Sequence, residues 1–462
     1  MSLAAQTHAQ NIPEQTNHAA AETVCVKVDF NSPAGTIRRL NGVNLAAPLT
    51  GARQRDLSQD LKELDIPVTR LHDAALENAG MQLVDISRVF PIFSLDPQNP
   101  EHYYFTQTDD YIANCLATGS KVSYRLGESI EWSNKNYFVH PPKDYDKWAD
   151  ICVNIIRHYN EGWANGFKYN IEYWCIWEEP ENVPLLWTGT WGDYIRLYVT
   201  TAKKIKQRFP NLKVGGPALG RVDPKQVDEL LAECKRQNAP LDFFAWNTYQ
   251  SSPEPTIAFP ERVRKLLDER GFSKTELHLT EWNYFPGSFQ KLGDPKHRLW
   301  LMEEMSGPNG AAFLGAVLSG WQDTPLDMGY YYTGSSGSFG LFTSPERGRA
   351  KKKCYFAMKA FNMMTKYASR VSARTPGNDK NIWVLAGRKQ GGQAAILVSC
   401  FKSPARQIKL EIENYDLRSA KCKVYVIDGE NDLQALDAVT ISGSEITIPK
   451  PDGSAVFLVE LM

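Results

Sequence analysis

The sequence predicts an α/β fold, a (β/α)8 barrel with an accessory C-terminal β-sandwich, and two patterns carry this prediction. Between residues 36 and 369, short apolar runs alternate with longer segments of helical period, which is typical of parallel strands joined by helices. After residue 370 the apolar runs are separated by Gly, Pro, Asn and Asp without helix-length segments, as in a small all-β domain. A chain of 462 residues fits one large and one smaller domain.

Eight strand candidates lie in the first region, and eight is the number of strands in such a barrel. They cover residues 38–48, 68–73, 121–127, 169–180, 212–218, 241–249, 276–283 and 328–334. The clearest helix candidates between them are residues 144–160, 192–209, 227–238, 260–271 and 350–368. The alternative, a doubly wound sheet, would place a GxGxxG turn after an early strand, and the sequence contains none there.

The chain divides into four predicted segments. Residues 1–22 are polar and lack an apolar signal core, so they are interpreted as disordered or as the remnant of a leader. Residues 23–35 form a strand without a barrel partner and are expected to join the sandwich. The barrel spans residues 36–369, and the sandwich spans residues 370–462, with strand candidates at 381–389, 392–401, 406–414, 422–428, 445–450 and 455–461.

Composition favours a neutral small-molecule or carbohydrate partner. Lys plus Arg number 52 against 53 Asp plus Glu, so no net charge attracts nucleic acid or an anionic membrane. No stretch approaches the roughly 20 apolar residues of a membrane span. The eight cysteines include no CxxC pair, so a zinc site is not expected. Twelve tryptophans and 11% aromatic residues suit a protein that binds the flat faces of sugar rings.

Polar residues that follow the predicted strands are the candidate functional residues, because catalytic groups in this fold stand at the C-terminal ends of strands. The fourth and seventh strands both end in carboxylates, and cleavage of a glycosidic bond requires two carboxyl groups. The residues collected in this way are Arg70, His72, Asp73, Glu178, Glu179, Asn247, Tyr249, Glu281, Trp282 and Asn283. Glu128 and Glu131, after the third strand, are further candidate subsite residues.

These motifs carry a resemblance to a known family. The segments YWCIWEEPEN at 173–182, LKVGGPA at 212–218 and ELHLTEWN at 276–283 resemble the acid/base, fifth-strand and nucleophile signatures of glycoside hydrolase family 39. That family contains β-xylosidases and relatives of α-L-iduronidase, within the retaining clan A of barrel glycosidases. LNGVNLAAP, TRLHD and DFFAWNTY match the same pattern in order, so the resemblance covers nearly the whole chain after residue 23.

The resemblance implies a double displacement in which Glu281 is the nucleophile and Glu179 is the general acid/base. It requires the two carboxyls to lie about 5 to 5.5 Å apart. It also requires a raised pKa for Glu179 while Glu281 stays ionised.

Glu178 departs from the family pattern, since relatives usually have an asparagine there that bonds the sugar 2-hydroxyl. An ionised glutamate only accepts hydrogen bonds, so Glu178 is a candidate for recognising an unusual substituent, and its charge would help to raise the pKa of Glu179. Alternatively, Glu178 turns away and pairs with a loop arginine. The alternation of strand residues predicts that Glu178 and Glu179 do not both face the pocket. Asn247 stands where the family tends to have histidine.

The remaining candidates have two readings each. Arg70 is expected to bond the nucleophile and His72 a sugar hydroxyl, or Arg70 pairs with a neighbouring acid. Tyr249 bonds the nucleophile or is a core aromatic. Trp282 and Trp321 form the wall beneath a sugar ring or belong to the core.

The sequence therefore predicts a retaining, β-xylosidase-like hydrolase of a neutral glycoside, without a cofactor or metal. The alternatives are a non-catalytic carbohydrate-binding barrel and a clan A glycosidase of another specificity, such as an arabinosidase, a galactosidase or an endo-acting enzyme. A periplasmic or extracellular location is expected from the substrate class alone. Residues 74–105 are expected to close the pocket and favour exo-action, or to be a packing insert.

Overall fold

The structure, a computed structural model, describes residues 23–46, 55–73, 82–375 and 381–462. The expectation for residues 1–22, and the part of the predicted pocket loop at 74–81, lie outside the described residues. The strands are β1 (Thr23–Thr36), β2 (Asn41–Asn44), β3 (Val68–Leu71), β4 (Lys121–Leu126), β5 (Tyr173–Ile176), β6 (Lys213–Leu219), β7 (Phe243–Gln250), β8 (Glu276–Tyr284), β9 (Met328–Tyr331), β10 (Ser369–Arg374), β11 (Ile382–Arg388), β12 (Ala394–Cys400), β13 (Gln407–Glu413), β14 (Cys422–Ile427), β15 (Asp432–Ala435), β16 (Thr440–Ser442), β17 (Glu445–Pro449) and β18 (Ala455–Leu461). The helices are α1 (Ser58–Leu64), α2 (Ile86–Val89), α3 (Thr106–Ala117), α4 (Tyr145–Asn160), α5 (Trp191–Arg208), α6 (Pro224–Gln237), α7 (Pro253–Asp268), α8 (Pro295–Ser306), α9 (Pro308–Gly320) and α10 (Lys353–Met364).

Strands β2 to β9 form a closed parallel barrel in chain order, and β2 closes it by pairing with both β3 and β9. All eight lie within the ranges predicted for them or overlap them, so the predicted fold class is confirmed. Because all eight strands are parallel, their C-terminal ends meet at one mouth of the barrel. The residues that follow these strands are thereby brought together.

The helices between the strands begin at residues that favour a helix start. Asp144 caps α4 through its side chain, and Thr190 and Asp193 form a capping box at α5. Helices α6 and α7 both begin with proline, which is tolerated in the first turn. No helix in the described residues combines the length and apolar character that crossing a bilayer requires.

Helix α9 was not among the sequence predictions, and its burial explains why. Its sequence PNGAAFLGAVLSG has apolar residues on every side rather than on one face, so helical period is absent. The helix packs against α7, α10 and β8 of the barrel and against β11, β12 and β18 of the second sheet. Ser399 on β12 donates to the carbonyl of Ala312 at 2.9 Å. A helix covered on both sides in this way needs no polar face.

The remaining strands form one mixed ten-stranded sheet that encloses its own apolar cluster. The first strand, β1, lies inside this sheet, antiparallel to β10 and parallel to β13. Strands β10, β15 and β16 were missed by the sequence analysis; β15 and β16 are short edge elements whose residues are largely exposed. The chain therefore begins in the second sheet, passes through the barrel and returns to that sheet.

Candidate active site

The mouth of the barrel collects polar side chains from four of its strands. Arg70 lies on β3, Asn247 and Tyr249 lie on β7, and Glu281 lies on β8. Glu178 and Glu179 follow the end of β5, and His72 follows the end of β3. The contacts described below join all seven side chains into one cluster.

The turn after β5 brings two adjacent carboxylates to the same amide group. Trp177 and Glu179 have φ angles of 69° and 39°, so the chain is not extended there and successive side chains do not alternate between faces. The Nδ2 group of Asn247 donates to Glu178 Oε1 at 2.9 Å and to Glu179 Oε1 at 2.8 Å. Both carboxyl groups therefore reach the same amide and do not alternate as they would at full extension, although only Glu179 is partly exposed.

Glu179 is held between two amides on one wall of the pocket. Asn182 donates to Glu179 Oε2 at 3.1 Å, opposite the bond from Asn247. Burial and then the charge of Glu281 raise the pKa of Glu179, while the two amides oppose that shift. Glu281, rather than the adjacent Glu178, supplies the neighbouring charge, because Glu178 is in direct contact with an arginine. A Cβ atom at Gly220 would lie 2.7 Å from Glu179 Oε1, so only glycine leaves this carboxyl its place.

Glu281 is surrounded mainly by neutral donors. Tyr249 donates its hydroxyl to Glu281 Oε2 at 2.5 Å, and His72 Nε2 lies 3.0 Å from Glu281 Oε1. Burial lowers the pKa of His72, so the ring is neutral near pH 7. The nearest cation, Arg70, is 3.6 Å away through Nη1. Burial consequently raises the pKa of Glu281 to about 7, with Arg70 and Tyr249 opposing the shift.

Glu178 pairs with Arg70 beneath the pocket. Arg70 Nη2 is in contact with Glu178 Oε2, and the two side chains are 0% and 1% exposed. A side chain so buried offers a substrate almost no surface, and the contact matches the second reading of Arg70, in which it pairs with a neighbouring acid. The alternative for Glu178 was an ion pair with a loop arginine; an arginine is its partner, but it comes from a barrel strand. Arg70 also donates to Asn44 Oδ1 at 3.1 Å.

Arg70, His72 and Asn247 were predicted to bind substrate, and they lie in the cluster of carboxylates at the barrel mouth. Each is largely buried and contacts at least one of the three carboxylates. Their contacts orient Glu178, Glu179 and Glu281.

Trp282 and Trp321, two of the predicted substrate-binding residues, lie in the core. Trp282 is adjacent to Glu281 on β8 and therefore points out of the barrel, where it meets Trp321 at a ring distance of 4.8 Å. Trp321 precedes β9 and so lies at the opposite end of the barrel from the mouth, with its Nε1 donating to Thr256 O. Both side chains are fully buried, so neither has a face for a sugar ring.

The aromatic side chains that do line the site come from other positions. The rings of Tyr332, Phe339 and Phe289 lie 6.2, 5.9 and 5.6 Å from the ring of Tyr249. Asn283, one of the predicted strand-end residues, donates to the carbonyl of Phe339 at 3.0 Å and also to that of Tyr332, and so fixes this wall. Tyr332 and Phe339 follow the last barrel strand. Collecting the residues after that strand, as was done for other strands, would have found them.

Further residues of the site were also missed. Asn44 ends the first barrel strand and donates to the carbonyl of Thr280 at 2.8 Å. Thr280 donates to Asn247 Oδ1 at 2.8 Å and so fixes the orientation of that amide. Asn182 lies three residues after Glu179 in the quoted motif, but nothing in the spacing alone marks it as a partner of the acid.

Glu128 and Glu131 have structural roles. Glu128 accepts hydrogen bonds from the backbone and hydroxyl of Ser87 at 2.9 and 2.6 Å. Glu131 accepts from the backbone nitrogens of Tyr137, Phe138 and Val139 and so stabilises its own loop.

The described residues contain one group of side chains with the mutual distances of a metal site. His72, Glu178 and Glu281 offer atoms within 4.8 Å of one another. The guanidinium of Arg70 contacts Glu178 and lies 3.6 Å from Glu281, so a protein cation already pairs with one carboxylate of this group. We therefore assign the group to the hydrogen-bond network of the carboxylates.

Comparison with known proteins identifies a matching family and two related enzymes. The family model described as glycosyl hydrolases family 39 matches residues 24–366. A β-xylosidase from Geobacillus stearothermophilus is 27% identical over 232 residues, which cover 44% of this chain and 45% of that protein. A β-xylosidase from Caldicellulosiruptor saccharolyticus is 28% identical over 239 residues, covering 48% of this chain and 43% of that protein. The matched segments thus span less than half of either curated relative.

A solved structure matches over almost the whole chain. A glucosidase from Croceicoccus marinus superimposes with a TM-score of 0.77 at 22% identity, covering 96% of this chain and 99% of that one. At this identity the likeness shows a shared fold.

Proposed function

This chain belongs to glycosyl hydrolases family 39, and on that premise we propose that it is a retaining glycoside hydrolase acting on a neutral, β-xyloside-like glycoside. The observation that carries the proposal is the pairing of two carboxyls from β5 and β8 at the barrel mouth, with different environments. Glu281 accepts from the Tyr249 hydroxyl and lies within reach of His72. Glu179 accepts only from amides and is partly exposed.

In the first step Glu281 attacks the anomeric carbon. One of its oxygens forms a bond to that carbon while the glycosidic bond breaks, and Glu179 transfers its proton to the departing oxygen. In the second step Glu179, now a carboxylate, takes a proton from water, and the water oxygen displaces Glu281 from the sugar. Two displacements at one carbon retain its configuration.

The carboxyls can perform this reaction only when Glu281 is ionised and Glu179 carries a proton. Both pKa values are raised by burial, and each charge influences the other group, so the pair titrates as a unit. Because burial raises the pKa of Glu281 to about 7, we expect activity to fall as the pH decreases below neutral. The expectation from the sequence was that Glu281 stays ionised; with a pKa of about 7, it is ionised only in part at neutral pH.

The neutral substrate class is supported by the two β-xylosidase relatives and by the balanced charge of the chain. The glucosidase that shares the fold makes a hexose substrate the first alternative to test. Degradation of a polysaccharide-derived substrate fits a location outside the cytoplasm, which we include in the proposal.

A panel of aryl α- and β-glycosides tests the proposal. The purified protein is incubated with xyloside, glucoside, galactoside, fucoside, arabinosides and uronides beside the variant Glu281→Gln, and the product anomer is followed by proton NMR. We expect turnover of a β-glycoside with retention of configuration and its loss in the variant.

Glu276→Gln is the matched control, because Glu276 lies at the other end of the same strand and pairs with Lys213 at 2.9 Å. It should retain turnover. An inverted product, or full activity of Glu281→Gln, would contradict the mechanism. Sugar binding without turnover on any glycoside would instead favour a carbohydrate-binding barrel.

A further inference from the structure

The guanidinium of Arg70 lies near two buried carboxylates and is closer to one of them than to the other. Arg70 Nη2 is in contact with Glu178, whereas Arg70 Nη1 lies 3.6 Å from Glu281. The Nη1 group is also directed to Asn44 Oδ1 at 3.1 Å and to the carbonyl of Thr280 at 3.5 Å. Because the guanidinium is planar and fixed by these contacts, it cannot move to Glu281 while Glu178 holds it.

Glu178 is itself fixed from a second strand. Its Oε1 accepts from Asn247 on β7 at 2.9 Å, and its Oε2 contacts Arg70 on β3. With 1% of its side chain exposed, Glu178 can act on a substrate only through its neighbours. A fully buried arginine requires an anionic partner, so Arg70, followed by His72, opposes the rise that burial causes in the pKa of Glu178.

We propose that Glu178 is a positioning residue that retains Arg70 and thereby sets the pH above which Glu281 carries its charge. The inference rests on the proposed role of Glu281 as nucleophile and adds a determinant of its pH range. It assigns to Glu178 a function that does not require contact with the sugar.

The groups facing Glu281 from every neighbouring element agree with this assignment. Strand β3 and the residues after it contribute Arg70, the neutral His72 and the negatively charged Asp73, which is 3.3 Å from His72. The turn after β5 contributes Glu178 and Glu179, β7 contributes Tyr249, and the segment after β9 contributes Tyr332. Arg70 is the one positive charge in this set of described residues, and its shortest contact is to Glu178. Burial is the main cause of the raised pKa of Glu281, about 7; Arg70 at 3.6 Å opposes it only in part, as do the hydrogen bonds with Tyr249 and Glu178.

The first experiment compares pH profiles of kcat/KM, which report groups of the free enzyme. Glu178→Gln removes the competing charge and leaves Glu281 as the carboxylate nearest to Arg70. We expect the acid limb of the profile to move down by about one pH unit or more, the effect of an opposite charge at close range. Glu178→Asp keeps the charge and should keep the acid limb near its original position. Glu178→Asn serves as a second neutral variant if Glu178→Gln does not fold.

Glu128→Gln is the matched control. Glu128 is a buried glutamate near the same barrel mouth, and it bonds Ser87 rather than Arg70. Its neutralisation should leave the acid limb in place. A purely structural role for Glu178 would lower kcat/KM at every pH without moving the limb, and that result would overturn the proposal.

A second readout needs no catalysis. The pKa of Glu281 is raised from 4.5 to about 7 on folding, so its protonated form stabilises the protein at low pH, and this contribution is lost as the pH rises through about 7. Because burial also raises the pKa of Glu178, the slope of melting temperature against pH that is due to Glu281 is taken as the difference between each protein and the same protein carrying Glu281→Gln. Between about pH 4.5 and about pH 7 this slope should be smaller in Glu178→Gln than in the parent protein. Equal slopes would refute the inference. If no glycoside is hydrolysed by the parent, the proposed function fails, while this measurement still decides the role of Glu178.

Discussion

Replacing Tyr249 by phenylalanine tests how far a neutral donor keeps the proposed nucleophile ionised. The hydroxyl of Tyr249 donates to Glu281 Oε2 at 2.5 Å, and a hydrogen bond to a charged group contributes about 1.5–3 kcal/mol. Each pKa unit corresponds to about 1.4 kcal/mol, so loss of this bond should raise the pKa of Glu281 by about one to two units. Starting from a pKa of about 7, the ionised fraction at neutral pH would fall from about one half to about one tenth or less.

The assay is kcat/KM on an aryl glycoside across the neutral range, for the parent and for Tyr249→Phe. We expect roughly a fivefold to fiftyfold loss at pH 7 and recovery of most activity at higher pH, because only the ionisation of Glu281 has changed. Tyr332→Phe is the control, since Tyr332 belongs to the same aromatic wall, with its ring 6.2 Å from that of Tyr249. An acid limb that stays in place in Tyr249→Phe would show that this hydrogen bond does not govern the charge of Glu281.

Three further predictions follow from the same structure. Gly220→Ala should displace Glu179, because the added Cβ would lie 2.7 Å from its Oε1. We expect kcat to fall by about tenfold or more on substrates with poor leaving groups. On a dinitrophenyl glycoside, whose leaving group needs no proton, the loss should be much smaller. Trp321→Ala should reduce the free energy of unfolding by about 3–5 kcal/mol, measured by urea denaturation, with KM unchanged in folded protein, because Trp321 is buried away from the mouth. Glu281→Gln removes a buried carboxyl whose pKa is about 7, so its melting temperature relative to the parent should rise as the pH increases from about 4.5 to about 7; a constant difference would contradict the raised pKa.

The location of the site could be predicted because a parallel barrel places all strand C-termini at one mouth. Glu179 and Glu281 are about a hundred residues apart in the sequence, and only the strand pattern brings them together. The same rule applied to the first and last strands would have included Asn44 and Tyr332. What the rule cannot give is the direction of each side chain.

The turn after β5 shows this limit most clearly. Strand alternation separates Glu178 from Glu179, but the left-handed backbone at Trp177, with φ of 69°, lets both reach Asn247. Tertiary packing selects that conformation, and no local residue preference indicates it. The burial of Glu178 under Arg70 depends in the same way on a strand more than one hundred residues earlier.

Helix α9 limits how far the two halves of this chain can be exchanged or separated. One side of it lies on the barrel and the other on the ten-stranded sheet, and a Cβ atom at Gly315 would lie 2.5 Å from Ser399 Oγ. Truncation before β11 would expose this apolar helix and remove β13, one of the two strands that pair with β1. The barrel is therefore not a transferable module, and a fusion or shuffling design should keep the barrel and the ten-stranded sheet together.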